Sequence, residues 1–75
     1  MEDHELVKNR LASIVDGTPM SLEEARNLFD GTTVFIYQSK DGKYGWTAIM
    51  SEDSGYNTPR SAVNGALAYL ERGGY

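Results

Sequence analysis

The side chains that could perform acid–base or nucleophilic chemistry are few in this sequence and lie apart. Cysteine is absent, the one histidine is His4, and the adjacent acidic pairs are Glu23-Glu24 and Glu52-Asp53. Neighbouring acidic residues do not converge on one substrate, and no serine, cysteine or second histidine is placed to form a catalytic set with His4. Metal-ligand spacing and a phosphate-binding glycine loop are also missing. We therefore expect a protein without catalytic activity, cofactor or bound metal.

Four aromatic residues form the first candidate interaction surface. They are Phe35, Tyr37, Tyr44 and Trp46. Aromatic side chains on a sheet can stack on unpaired bases, so binding of single-stranded nucleic acid is one hypothesis. That binding also requires clustered basic residues, and only Lys40, Lys43 and Arg60 could surround these aromatic groups. Packing beneath helices is therefore the preferred interpretation, and nucleic acid is an unfavoured partner.

The acidic residues of the first thirty positions form the second candidate surface. Residues 1–30 hold seven acidic residues against three basic ones and carry the whole net charge of −4. The candidate acidic face consists of Glu2, Asp3, Glu5, Glu23 and Glu24. A solvated face that keeps a small protein soluble is the preferred interpretation. The alternative is complementarity to a basic partner, as in small acidic phage inhibitors that bind a host protein or a nucleic-acid-processing complex.

The size and composition of the chain favour one small cytoplasmic domain. Its 75 residues leave no room for a second domain, and a core this small gives marginal stability. Small chains without disulfides or metals often gain stability by oligomerising, so we expect a homodimer. No apolar run is long enough to span a bilayer, and the acidic start of the chain is unlike a signal peptide.

Two helices are predicted in the part of the chain up to residue 31. Residues 3–15 carry apolar residues at helical spacing, and Asp16-Gly17 is a helix end with a left-handed glycine. Ser21 and Glu24 have the spacing of a capping box, which begins a second helix that ends near residue 30.

A β-hairpin is predicted from about residues 32–39 and 43–50, which are rich in β-branched and aromatic residues. Asp41-Gly42 between them predicts a two-residue type I′ turn. That turn places Tyr37 opposite Trp46, with the four aromatic residues on one face and an apolar set on the other. We therefore expect cover on both faces, by helices on each face or by a helix on one and a partner on the other. We also expect a third element on the outer edge of one strand. The same strand of a second subunit is the first candidate for that element.

The last predicted helix spans about residues 59–72, after a loop at 51–57. Thr58 is suited to the N-cap and Pro59 to the first helical position. Asn64-Gly65 is a hairpin-turn signal that its helical context overrides. A glycine inside a helix is unfavourable, so we expect Asn64 and Gly65 to mark close packing of helix and sheet. The whole chain then predicts an α+β domain, with a helical part at 1–31 and a hairpin–helix part at 32–75.

The segment from about residue 34 to residue 70 contains Tyr37, Gly42, Tyr44 and Trp46, followed by Gly55-Tyr56, Ser61-Ala62 and Asn64-Gly65. With these residues it resembles the YegP-like family of small bacterial domains. The resemblance implies a β-hairpin with a carboxy-terminal helix packed across it, and it implies little about activity. The family has a further strand after the second one, and the segment between Trp46 and Gly55 is several residues shorter here. We therefore expect that strand to be missing.

The best functional hypothesis is a non-catalytic protein-interaction or regulatory module.

Overall fold

The computed structural model describes residues 2–15 and 17–75 of the chain, and in these it contains three helices and one three-stranded antiparallel sheet. The elements are α1 (Asp3–Leu11), α2 (Leu22–Leu28), β1 (Phe35–Gln38), β2 (Tyr44–Thr47), β3 (Glu52–Tyr56) and α3 (Pro59–Glu71). The strands lie in the order β1-β2-β3, so β2 is central. The predicted α+β fold is confirmed, with one strand more than expected.

The two amino-terminal helices begin as predicted, and the first ends earlier. Both hydrogen bonds of the predicted capping box form, at 3.1 Å each, between Ser21 and Glu24. Helix α1 ends at Leu11 instead of residue 15. The chain turns after Leu11, and the hydroxyl of Ser13 donates a hydrogen bond to the carbonyl of Arg10 at 2.7 Å. The predicted helix end at Asp16-Gly17 falls partly outside the described residues, since Asp16 is not among them.

The turn between β1 and β2 has three residues, so the predicted two-residue turn is wrong. The N–H of Ser39 donates to the carbonyl of Lys43 at 2.8 Å, and the N–H of Gly42 donates to the carbonyl of Ser39 at 3.0 Å. Gly42 has φ +85°, which a side chain would strain. The loop is therefore a type I turn that ends in the left-handed residue Gly42, which is the common three-residue hairpin loop, and Asp41-Gly42 forms its end.

One extra residue in the turn shifts the pairing of β1 and β2 by one position. Trp46 lies opposite Ile36, and Tyr37 lies opposite Gly45, instead of Tyr37 opposite Trp46. Because side chains alternate between the faces of a sheet, a shift of one residue moves a strand's side chains to the opposite face relative to its neighbour. The four aromatic residues therefore cannot share one face.

Residues 52–56 form a third strand, so the predictions of a loop there and of a missing strand are wrong. Trp46 pairs with Asp53, and Tyr44 pairs with Tyr56, with one register shift next to Gly45. Gly55 has φ +88° and absorbs that irregularity. The third element expected on the edge of residues 43–50 is thus a strand of the same chain.

The helices lie on one face of the sheet and leave the other face open in residues 2–15 and 17–75. Helix α3 contacts all three strands and both other helices, while α2 packs at the β1 edge. The core between the layers includes Ile36, Trp46 and Val63, and the shortest dimension of the molecule is 18 Å. The alternative in which helices cover both faces is therefore wrong, whereas cover of the second face by a partner stays a prediction. Among the described helices, none is long and apolar enough to cross a membrane.

Candidate interaction surface

The sheet face opposite α3, here called the open face, presents two rows of side chains. Each row runs from β1 across β2 to β3, because residues paired across antiparallel strands point to the same side. The first row is Phe35, Thr47 and Glu52, and the second is Tyr37, Gly45 and Ser54. The open face therefore combines two aromatic rings on β1 with polar and acidic groups on β3.

Phe35 is the large exposed apolar residue of this face. Its side chain is 51% exposed. The guanidinium carbon of Arg26 lies 4.9 Å from the centre of the Phe35 ring. The Nε of Arg26 donates to the carbonyl of Ile36 at 2.9 Å. The charged group is thus held by a hydrogen bond at the β1 edge of the sheet while it stacks on the ring, an arrangement that favours cation–π attraction.

Tyr37 lies across the centre of the open face and covers Gly45. A Cβ atom at Gly45 would lie 2.7 Å from the Cζ and hydroxyl oxygen of Tyr37 and 2.8 Å from the carbonyl oxygen of Asp53. Gly45 is buried for this reason, although its strand face carries no helix in the described part of the chain. The missing side chain lets the end of the tyrosine ring lie against the backbone, as aromatic residues often do beside a glycine in a sheet.

The other two predicted aromatic residues lie on the helix-covered face. Trp46 is 4% exposed, and its ring centre lies 4.9 Å from that of Tyr69 in α3. Tyr44 is half-buried and packs against the core. The predicted aromatic face of Phe35, Tyr37, Tyr44 and Trp46 is therefore divided into one pair on the helix-covered face and one pair on the open face, as the shifted register requires.

Gly65 of α3 packs against Tyr56 of β3, instead of the predicted Trp46 or Tyr44. The Tyr56 hydroxyl and Cζ lie where a side chain at Gly65 would begin. That hydroxyl accepts a hydrogen bond from the indole nitrogen of Trp46 at 3.3 Å and donates one to Asp53 at 2.9 Å. Burial raises the pKa of Tyr56 above its usual value. Asn64 is exposed, and its side chain makes no hydrogen bond to a loop among residues 2–15 and 17–75.

Residues of the predicted acidic face lie at both ends of α1 and line two separate grooves. Glu2 and Asp3 line a groove against the end of the chain, near Gly73–Tyr75. Glu24 instead lines a groove at the other end of α1, beside Ser13. Glu23 is exposed at the start of α2, and Glu5 lies 4.0 Å from the imidazole of His4.

The basic residues near the hairpin are also dispersed. Lys43 contacts the side-chain oxygen of Asn57 at 2.5 Å. Arg60 instead donates to the carbonyl of Thr18 at 3.1 Å, a residue that is distant in sequence from the hairpin. Lys40 is exposed at the hairpin tip. In the described residues, no group of three or more histidine, cysteine or acidic side chains is placed to hold a metal ion.

Comparison of the chain with protein-family models, with curated proteins and with solved structures found no match.

Two residues at the open face, Arg26 of α2 and Gly45, were not singled out from the sequence, and Glu52 was considered only as part of an acidic pair. Gly45 carries a readable signal, because a glycine between two aromatic residues in a strand often marks close approach of another group. Arg26 and Glu52 carry no such signal. Their positions depend on how α2 meets the sheet and on the third strand, which is poor in β-forming residues.

Proposed function

We propose that the protein is a non-catalytic protein-interaction module whose contact surface is the open face. The observation that carries the proposal is the half-exposed ring of Phe35 on a sheet face without a helix over it in residues 2–15 and 17–75. Tyr37 extends this apolar surface to the centre of the sheet. Adjacent exposed aromatic groups on a rigid sheet are typical of sites that bind other proteins.

The way in which these side chains are held supports the proposal. Arg26 is fixed by its bond to the carbonyl of Ile36, and Tyr37 is fixed by its contact with Gly45. Side chains that are already ordered lose little conformational freedom when a partner binds. Tyrosine and arginine are also the residue types that contribute most binding energy in protein interfaces.

The charges of the open face favour a protein over nucleic acid as the partner. Glu52 lies in the same row as Phe35, and the single arginine at the other end is stacked on that ring. A strand of phosphates would meet that carboxylate instead of a basic groove. The absence of cysteine is consistent with the cytoplasmic location that we propose for this module.

Affinity capture with matched baits tests this function. Immobilised wild-type protein, Phe35→Ser and Val15→Ser are incubated with an extract of the cells that make the protein. Val15 is 72% exposed and lies outside the sheet, so its variant removes an exposed apolar side chain elsewhere. We expect wild type and Val15→Ser to retain the same proteins, and Phe35→Ser to lose them. Identical retention by all three folded baits would contradict the proposal.

A further inference from the structure

We infer that the open face binds the open face of a second copy of this chain, in a two-fold dimer that pairs Arg26 with Glu52 of the partner subunit. The inference rests on the proposed function, because it names the partner of the same surface. It departs from the predicted dimer, in which strand edges pair.

Charge is distributed unevenly along the first row of the open face. Arg26 stands over Phe35 at the β1 edge, and Glu52 ends the same row on β3. Thr47 lies between them on β2, and adjacent strands are about 4.8 Å apart. The row is thus positive at one end, uncharged in its middle, and negative at its other end. The carboxylate of Glu52 has no ion pair or hydrogen bond within residues 2–15 and 17–75.

This distribution is complementary to itself under one particular symmetry operation. A two-fold axis parallel to the strands and midway between two stacked sheets places β1 of each subunit over β3 of the other. Every contact in such an interface occurs twice, so Arg26 meets Glu52 of the partner subunit on both sides. An axis perpendicular to the strands would instead stack like charges. The chosen axis also keeps the strands of the two sheets aligned, as in sheets that pack about 10 Å apart.

The edges of the sheet are less suited to self-association. The β1 edge is occupied by Arg26, which binds the carbonyl of Ile36. On β3, the carboxylate of Asp53 accepts the N–H of Ser54 at 2.9 Å, and Glu52 lies beside it. Pairing β3 with itself would bring these acidic residues together, and charged side chains are a common protection against edge pairing. The predicted pairing of residues 43–50 is excluded, because β2 is flanked on both sides.

A charge exchange at the two ends of the row tests the dimer. Sedimentation equilibrium is measured for wild type, Arg26→Glu, Glu52→Arg and the double variant, with thermal unfolding to confirm that each is folded. We expect wild type to be dimeric and each single variant to dissociate about tenfold more readily or more, because like charges then face each other. The double variant should recover the wild-type dissociation constant. Glu5→Arg on α1 makes the same charge change away from the sheet and should leave dimerisation unchanged.

Two results would overturn the inference. One is a wild-type protein that stays monomeric up to millimolar concentration. The other is a dimer that Glu52→Arg does not weaken. Because Glu52 is exposed, this variant remains decisive even if Arg26→Glu fails to fold. In either case, loss of captured proteins by Phe35→Ser would leave the proposed function standing, and only identical retention by all baits would remove it.

Discussion

The hydroxyl of Tyr56 lies against the Cα of Gly65, and this contact joins the third strand to the middle of α3. Tyr56 is held there from two sides, by the indole of Trp46 and by the carboxylate of Asp53. A glycine inside a helix costs about 1 kcal/mol relative to alanine, so this position gives up helix stability where the sheet approaches most closely.

The first prediction is that Gly65→Ala lowers the stability of the protein. The new methyl group would lie 2.7 Å from the Cζ of Tyr56 and would push the ring away from its two hydrogen-bond partners. Such crowding costs about 1–3 kcal/mol, and because two hydrogen bonds hold the Tyr56 ring in place we expect this cost to outweigh the helix-propensity gain of about 1 kcal/mol. We expect a net loss in the free energy of unfolding, measured by urea denaturation.

Two further variants show whether Tyr56 causes that loss. Asn64→Ala changes the adjacent exposed residue of α3, so it should be neutral or slightly stabilising. In a Tyr56→Phe background, which removes the nearest atom, the cost of Gly65→Ala should be smaller. A clear gain in stability from Gly65→Ala in the wild-type background would show that the contact is not restrictive.

The second prediction concerns the glycine on the open face. Gly45→Ala should destabilise the protein by about 1–3 kcal/mol, because the methyl group meets both the Tyr37 ring and a backbone carbonyl oxygen. Thr47→Ala changes the next residue on the same face and strand and serves as the control, with a smaller expected loss. Equal melting temperatures of Gly45→Ala and wild type would show that Tyr37 does not lie on Gly45.

The third prediction is that the hairpin turn loses stability in acid. The hydroxyl of Ser39, at 2.5 Å, and the N–H of Lys43, at 3.0 Å, hold the pKa of Asp41 below its usual value of 3.8. A group whose pKa is lower in the folded state stabilises the protein at pH values above its unfolded-state pKa. This contribution is lost as the pH falls through the folded-state pKa. Asp41→Asn should therefore be less stable than wild type near neutral pH, and the difference should shrink in acid.

Thermal unfolding of both proteins at a series of pH values measures this difference. Asp30→Asn is the control, since Asp30 is an exposed acidic residue whose carboxylate accepts no hydrogen bond within residues 2–15 and 17–75. A difference for Asp41→Asn that stays constant from neutral pH to strong acid would contradict the prediction.

The fourth prediction is that Tyr56 contributes to a loss of stability in alkali. Burial raises the pKa of Tyr56 in the folded protein above 10.0. When the pH rises above the unfolded-state pKa, the unfolded chain releases the Tyr56 proton while the folded protein still holds it. The free energy of unfolding therefore falls as the pH rises further. In Tyr56→Phe that part of the fall should be missing. Urea denaturation of the two proteins from about pH 8 to about pH 11 gives the comparison, and parallel pH profiles would refute it.

Local signals in the sequence predicted the beginnings of helices well, because a cap depends on a few neighbouring residues. Ser21 with Glu24, and Thr58 with Pro59, begin α2 and α3 as expected. The hairpin was also located correctly, but its register was not. Asp41-Gly42 fits both a two-residue turn and the end of a three-residue turn, and the choice between them decides which side chains face the helices.

The third strand could not be read from residue types. Glu52, Asp53, Ser54 and Gly55 are poor strand formers, and they are tolerated because they lie at a solvent-exposed edge and pair through the backbone with β2. This strand brings Glu52 into the open face and Tyr56 against Gly65, so the candidate surface could not be assembled without it.

The central claim is that two copies of this protein associate through the open face, and NMR of the wild-type chain at increasing concentration tests this self-association most directly. Backbone amide shifts are followed from micromolar to millimolar protein. We predict progressive shifts along the two rows of the open face, centred on Phe35, Tyr37, Thr47 and Glu52, with α1 and the outer surface of α3 unchanged. Spectra that keep the line widths of a monomer at every concentration, or shifts confined to the helices, would contradict the claim.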